Sequence, residues 1–351
     1  MNNKENSFVI LTPGFPSSEA DSTCLPMHQH FIRCLKSLYP ELNVIVLSFQ
    51  YPYRTGNYKW FDTTVIGFNG QNKGGIAKLL IRKKVYAALK KIMNESAITG
   101  LLSFWYGECA LVGKKFGRRN KIAHCCWLLG QDAKKANKYP ARTSLKENEL
   151  VALSDFLQDE FERNHGTRPG FVIPHGNNMM QAFVLQAEKD IDILAAGSLI
   201  PLKQYDIFIE VVAEIKRSLP LVRCLLVGDG PEKEKLQQLI ENAGLRDMIT
   251  LTGELPHDAV LQLMQRTKIF LHPSSYEGLS GVCLEALSMG CHVISFTKPM
   301  HESIKQWNIT ASKDEMSSKA AEILQNNDTV YERQVVFKME DTVRKMMDLF
   351  K

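Results

Sequence analysis

"DILAAGSLIPLKQYDIFIEVVAEIKRSLPLVRCLLVG", residues 192–228, decides the fold. It opens with a short apolar run closed by Gly197, which reads as a buried strand over 192–199. Phe208, Val211, Val212, Ile215 and Leu219 then recur at helical spacing over 205–219, and "VRCLLVG" (222–228) is a second apolar strand. Strand, helix, strand at this length is the unit from which parallel sheets are built.

The alternation continues in both directions. Downstream come a helix over 233–242, a strand over 248–253, a helix over 257–266, a strand over 268–273, a helix in "GVCLEALSMG" and a strand over 292–296. Upstream lie strands over 8–13, 43–49, 100–105 and 121–130, separated by helices in "TCLPMHQHFIRCLKSL", over 78–94 and in "ECALVGKKFG". The turn-rich "GFVIPHGNN" (170–178) separates two such rounds. The expected class is therefore α/β: two Rossmann-like domains facing a central cleft, residues 1–183 and 184–330, with a further helix over 331–351 carrying Val335, Met339, Val343, Met346 and Leu349. A chain of 351 residues has room for two such cores.

Composition narrows the function. With 44% hydrophobic and 23% charged residues the chain has the makeup of a globular protein. The opening "MNNKENSFVILTPGF" is too short an apolar run to cross a bilayer and lacks an export cleavage pattern, so a cytoplasmic location is expected, with peripheral attachment to the inner face of the plasma membrane as a variant of it. Eight cysteines form no C-x-x-C pair and sit mostly in apolar runs, which suits reduced, buried thiols. Residues 1–180 hold 24 Lys and Arg against 14 Asp and Glu, whereas the remainder holds 19 against 24. Much of the excess lies in "KLLIRKKVYAALKKIMN" (78–94), where Leu79, Leu80, Val85, Leu89 and Ile92 accompany the lysines. Such a helix either packs by one face on its own domain or rests on an anionic membrane. No recognised motif or aromatic platform accompanies the charge, so nucleic acid is not an expected partner.

The chemistry concentrates in "PSSYEGLSGVCLEALSMGC" (273–291), a strand-to-helix turn with Glu277 before it and Glu285 one helical turn inside. Ser280 suits the N-cap, and the first-turn amides near Gly281, Val282 and Cys283 suit a phosphate. An ionised carboxylate only accepts hydrogen bonds, so sugar or ribose hydroxyls are natural partners for both acids. An isolated pair of glutamates at a helix start can equally oppose the helix dipole or face solvent.

The wider pattern is more specific. Glu277 and Glu285 form the E-x7-E arrangement of retaining glycosyltransferases of GT-B fold, and "FLHPSSYEGLSGVCLEALSMGCHVIS" resembles the donor-site signature of glycosyltransferase family 4. "AAGSLIPLKQYDIFIEVV" (195–212), "LLVGDGPEKEKLQQLIENAGLRDMITLTGEL" (225–255) and "VALSDFLQDEF...VIPHGNN" (151–178) are similar to further segments of that family, so the resemblance is strong over residues 150–296. It implies a nucleotide-sugar held mainly by the C-terminal domain. Lys203 would neutralise the diphosphate and stabilise the leaving group. Gly197 and Gly228 would let the backbone approach the ligand, with Ser198 beside them, and main-chain groups near Glu254 and Leu255 would meet the base. Glu277 would contact the donor sugar and Glu285 the ribose, with Gly278, Leu279, Ser280, Gly281 and Val282 lining the turn between them. Lys203 and Glu277 are the residues implied as catalytic. In the N-terminal domain Gly14, Gly130, Gln131 and Asp132 would face the cleft, and the tail helix would cross back to that domain.

Three positions depart from the family: Ser198 where an arginine often stands, Leu129 where a histidine often precedes Gly130, and a first loop, "TPGFPSSEADST", without its frequent Gly-Gly pair. The activity implied is transfer of a hexose-type unit to a glycan or lipid-linked acceptor in cell-surface polysaccharide synthesis, with no cofactor and no essential metal. A catalytically inactive binding or regulatory partner is the alternative. The D-x-D form of "DID" (190–192), His28 with His30, and His124 with Cys125 and Cys126 read as structural, the last three lying in an apolar strand.

Overall fold

The computed structural model describes residues 5–21, 24–177 and 188–351. The chain divides into two compact units, residues 1–176 with 337–351, and residues 177–336. The expected joint between residues 183 and 184 lies outside the described residues, and the chain leaves the second unit at residue 336, later than the expected 330.

The first unit contains β1 (Asn6–Gly14), β2 (Asn43–Tyr51), β3 (Thr55–Trp60), β4 (Thr63–Phe68), β5 (Ala97–Phe104), β6 (His124–Leu128), β7 (Leu150–Ala152) and β8 (Phe171–Val172). They form one sheet in the order β3-β4-β2-β1-β5-β6-β7-β8, parallel except for the β3–β4 hairpin. Phe8, Val9, Ile10 and Leu11 of β1 are all fully buried, as a central parallel strand covered on both faces requires. The helices are α1 (Pro26–Leu38), α2 (Gly75–Glu95), α3 (Glu108–Asn120), α4 (Tyr139–Thr143) and α5 (Asp155–His165), the last capped by Ser154, whose Oγ accepts from the Leu157 amide at 3.2 Å. The hairpin falls in a stretch between the strand over 43–49 and the basic helix to which the sequence reading assigned no element. It is held by burial of Trp60, whose ring meets Phe15 edge-on at 5.0 Å.

In α2 the buried side chains are Ile81, Val85, Leu89 and Ile92, which join Val9, Leu11, Ile45 and Leu101 in the core. Leu79 and Leu80, named with Val85, Leu89 and Ile92 among the apolar residues of this helix, are 52% and 50% exposed. The reason is angular: steps of four, four and three residues keep 81, 85, 89 and 92 in one stripe, and 79 and 80 fall outside it.

The second unit contains β9 (Ile191–Ala196), β10 (Cys224–Val227), β11 (Ile249–Gly253), β12 (Thr267–His272), β13 (His292–Ser295) and β14 (Trp307–Ile309), in the all-parallel order β11-β10-β9-β12-β13-β14. Helices α6 (Tyr205–Ile215), α7 (Lys233–Asn242), α8 (His257–Gln265), α9 (Gly281–Ser288) and α10 (Lys313–Gln325) connect or follow these strands. Phe208, Val211, Val212 and Ile215 of α6 are buried against Ile193, Leu226 and Ile269. In both units the strand order runs outward one way from the first strand and then restarts on its other side. These switch points, β9/β12 and β1/β5, are where ligands of open parallel sheets bind.

The tail departs from expectation. The helix expected over 331–351 forms only as α11 (Met339–Asp348), leaving Val335 outside it. Residues 332–334 are drawn into the second unit instead: Gln334 N donates to Leu287 O at 2.9 Å and Glu332 N to Gln306 Oε1 at 3.0 Å. α11 belongs to the first unit, where Thr342 Oγ1 donates to Pro174 O at 2.7 Å and Phe350 meets Phe8 edge-on at 4.9 Å. A Cβ at Gly176 would lie 2.2 Å from Lys338 C, so only glycine admits this approach.

Candidate active site

The loops after β9 and β12 flank the switch point of the second unit. After β9 the chain passes Gly197 in a positive-φ conformation (149°) and makes one turn of 3-10 helix, Pro201–Lys203. After β12 it runs through 273–280 into α9. Ser275 ties the two loops, its amide donating to Leu202 O at 3.1 Å. This tie sets Lys203 against Glu277, with Nζ to Oε2 at 2.7 Å. His272, the last residue of β12, reaches the same Oε2 at 3.4 Å.

Burial pushes the Glu277 carboxyl up, but the His272 hydrogen bond and the Lys203 ammonium outweigh it and hold the group at about 2. Burial lowers His272 below the ordinary histidine range, so it meets Glu277 as a neutral N–H donor and Lys203 carries the positive charge of the cluster. Lys203 and Glu277 remain 18% and 27% exposed, open enough for a ligand to reach both. Two buried hydroxyls at the same strand ends, Tyr205 Oη and Ser274 Oγ, have no hydrogen-bond partner among the described residues, and buried hydroxyls are otherwise nearly always satisfied.

Gly197 and Gly228 bring two further loops together. A Cβ at Gly228 would lie 1.9 Å from Gly197 O, and one at Gly197 would lie 2.8 Å from Tyr205 Oη. Ser198 is exposed beside them. Glu285 sits in α9 and meets His257, Nε2 to Oε1 at 3.0 Å, a bond that raises the histidine above its ordinary range. Glu254 is exposed and Leu255 half-buried in the short loop from β11 to α8. Gly278, Leu279 and Ser280 are buried, and Gly281 and Val282 half-buried. Ser280 occupies the N-cap position of α9 with extended backbone, yet its side chain makes no capping bond. The first-turn amides of a helix have no intrahelical acceptor, and here the cap does not take them either.

His272, His257, Tyr205 and Ser274 escaped the sequence reading. Position at a strand's carboxyl end was the available signal for His272 and Ser274. The "DID" acids are occupied by cations: Asp190 pairs with Arg266 and, at 2.7 Å, with Arg223, and Asp192 pairs with Lys268 at 2.8 Å. Among the described residues no group of three His, Cys, Asp or Glu side chains is placed to hold a metal ion. His124 is buried with Nε2 at 2.9 Å from Ser103 Oγ, and burial lowers it to about 3.

At the switch point of the first unit a pocket of about 240 Å³ is lined by Pro13, Gln50, Phe104, Trp105, Glu108 and Tyr139, among others. Trp105 adopts a left-handed backbone (φ 62°), unusual for a bulky residue, and its ring stacks on His28 at 4.7 Å. None of Gly14, Gly130, Gln131 and Asp132 lines this pocket. Gly14 is buried at the end of β1, Gly130 has φ 151° and Gln131 is exposed. Asp132 is 6% exposed and its carboxylate accepts from the amides of Tyr106 (3.0 Å), Leu129 (3.2 Å) and Gly130 (2.8 Å), which staples the loops after β5 and β6. Burial raises its pKa against the pull of those amides.

Residues 180–334 match the family model of glycosyl transferases group 1. The second unit carries a glycosyl transferase domain. Among curated proteins, the chain is 38% identical over 111 residues to the gpi3 subunit of phosphatidylinositol N-acetylglucosaminyltransferase from Schizosaccharomyces pombe, covering 31% of this chain and 24% of that protein. It is 42% identical over 71 residues to 2-deoxystreptamine N-acetyl-D-glucosaminyltransferase of Streptomyces fradiae, 20% of this chain and 17% of that one. Over 153 residues it is 33% identical to a phosphatidylinositol N-acetylglucosaminyltransferase subunit from Arabidopsis thaliana, 42% of this chain and 34% of that one. The chain thus spans about a third or less of the length of these relatives. Among solved structures, Anabaena HepE in complex with UDP and glucose superposes with a TM-score of 0.70 at 16% identity, over 97% of this chain and 98% of that one. A glycosyltransferase from Rickettsia africae gives 0.70 at 16% identity, over 100% and 98%. At such identity the likeness establishes the GT-B fold: two Rossmann-like α/β units with parallel sheets.

Proposed function

We propose that the protein is a retaining glycosyltransferase of family 4 type, which takes a hexose-type sugar from a nucleotide-sugar bound by the second unit and passes it to a glycan or lipid-linked acceptor bound by the first. The observation that carries this reading is the Lys203–Glu277 pair at the β9/β12 switch point, joined by His272 and beside the α9 N-terminus. Its chemistry suits the reaction. As the glycosidic bond breaks, its electron pair goes to the diphosphate, whose growing charge Lys203 and the α9 amides can neutralise. The acceptor hydroxyl oxygen forms the new bond on the face the nucleotide leaves, and its proton passes to the departing diphosphate oxygen. Glu277, held ionised, accepts from a donor-sugar hydroxyl, and Glu285 accepts from the ribose. None of these roles calls for a metal ion or cofactor.

The relatives' names favour N-acetylglucosamine as the donated sugar. A role in cell-surface polysaccharide assembly fits a glycan or lipid-linked acceptor, and the aromatic pocket around Trp105 suits the face of a sugar ring. The test is a thermal-shift and nucleotide-release screen against nucleotide-linked N-acetylglucosamine and glucose. Stabilisation of the wild type with nucleotide release, both lost in Lys203→Ala, is the expected result. Binding without turnover on any acceptor or water would favour the inactive partner, and no binding at all would overturn the donor site.

A further inference from the structure

α2 and α3 leave between them a groove of about 570 Å³ whose walls include Ile76, Leu79, Leu80, Tyr86, Leu111 and Val112. At its mouth Ile76, Leu79 and Leu80 are 77%, 52% and 50% exposed, three bulky aliphatic side chains within two turns. Scattered exposed leucines are ordinary, but clustered ones on a groove mark an interaction surface. Arg82, Lys83, Lys115 and Arg119 line the same groove. Among the described residues Lys83, Lys115 and Arg119 form no ion pair, and Lys115 lies 6.0 Å from the Tyr86 ring centroid. Arg82, unlike these three, is paired: it shares Glu108 with Lys78, which lies 3.0 Å from that carboxylate.

We propose that this groove is a docking surface for an anionic lipid bilayer, with Ile76, Leu79 and Leu80 entering the apolar layer and Lys83, Lys115 and Arg119 meeting lipid phosphates. Aliphatic tips ringed by unpaired cations complement a surface that is apolar below and negative above. A second copy of the chain docking here about a two-fold axis would bring two cationic rims face to face, which like-charge repulsion opposes. The surface also differs from the one the helical pattern alone suggests: Val85, Leu89 and Ile92 are committed to the core, and the membrane-facing residues are the first turns of α2 together with α3. Glu108 links the groove to the Trp105 pocket, since its two cationic partners line one each: Lys78 the pocket and Arg82 the groove. A bilayer here would lie next to the pocket in which a lipid-linked acceptor's head would sit. The inference stands on the first unit and does not depend on the donor chemistry.

The test is co-sedimentation of the full chain with vesicles of mixed phosphatidylglycerol and phosphatidylcholine, against phosphatidylcholine alone. The wild type is expected to bind the anionic vesicles, less so as salt rises, and to ignore the neutral ones. Lys115→Ala/Arg119→Ala should weaken binding about 25-fold. Leu79→Ser/Leu80→Ser should weaken it about tenfold. Leu221→Ser, a 92% exposed leucine of the second unit, should bind like the wild type. Melting temperatures within a few degrees of the wild type would confirm that the variants fold, and the two pairs test the surface separately. Equal binding to neutral vesicles, no binding to either, or binding unmoved by both pairs would overturn the proposal. So would concentration-dependent dimerisation abolished by the leucine pair without vesicle binding, which would give the groove to a second copy.

Discussion

At the switch point of the second unit, between β9 and β12, the side chains are charged and bonded to one another: Lys203 on Glu277 at 2.7 Å, with His272 on the same oxygen. At the matching point of the first unit, between β1 and β5, an ion pair of Lys78 and Glu108 is joined by an aromatic platform that the second unit lacks there among the described residues, Trp105 stacked on His28 with Phe104 beside it. The strand order is of one kind in both units, so the backbone supplies the location and the loops supply the chemistry. A preformed ion pair suits a ligand of fixed charge such as a diphosphate. An aromatic platform tolerates variety, as the proposed acceptor site requires.

The sharpest way to break this contrast is at the ion pair. Lys203→Ala and Glu277→Gln should each lower nucleotide release from the donor by about 100-fold or more, as removal of charge stabilisation at a leaving group does. The double variant should fall little further than the worse single one, because the two act as a unit. Kinetics of all three would settle it, and unchanged rates would move the donor elsewhere.

Gly228→Ala comes next. Its Cβ would collide with Gly197 O in a residue at φ 143°, so a loss of about 3 kcal/mol is expected in chemical denaturation. A near-neutral result would mean that the β9 and β10 loops yield to each other. Trp105→Ala sharpens the comparison from the other side. It should raise the acceptor KM roughly tenfold and leave donor hydrolysis in the absence of acceptor unchanged. A fall in hydrolysis instead would show that the first unit's pocket serves the donor.

The smallest effects concern pH, and Glu277 and His257 differ in sign. Glu277 is depressed from its usual 4.5 to about 2, so its stabilisation is complete above the ordinary carboxylate range and is lost as pH falls through about 2. His257 is raised by Glu285, so that pair stabilises the fold below the ordinary histidine range and ceases to as pH rises through the raised value. Because His257 is 40% exposed, His257→Ala should cost less than about 1 kcal/mol at pH ~5.5 and nothing measurable at pH ~9. Thermal melts of both proteins at the two pH values check this. An equal loss at both would mean that packing, not charge, is what His257 contributes.

Much of this was legible in the chain. Apolar runs of strand length alternating with 3.6-residue periodicity gave every parallel strand from β9 to β13, and Glu277, Glu285 and Lys203 stand out as residues of a recognisable donor pattern. The β3–β4 hairpin was not legible, because its alternation is short and half its residues are polar. The tail was misread because Val335 keeps helical register with Met339 and Val343, although the backbone before Met339 is bonded to other segments. Whether Leu79 and Leu80 share the buried face of α2 was not legible, because an amphipathic pattern does not state which stripe meets the sheet.

By itself, then, the sequence determined the elements, their alternation and the types of residue at the strand ends, since periodicity and turn chemistry act over a few residues. Tertiary structure alone decided which of those residues meet. Lys203 and Glu277 lie 74 positions apart and touch only because β9 and β12 are neighbours. His272 reaches Glu277 only because the loop after β12 folds back toward the strand end, while Asp132, polar in sequence, is consumed by backbone amides. Side-chain partners across separate βα loops follow from strand order, a global property that no local pattern encodes.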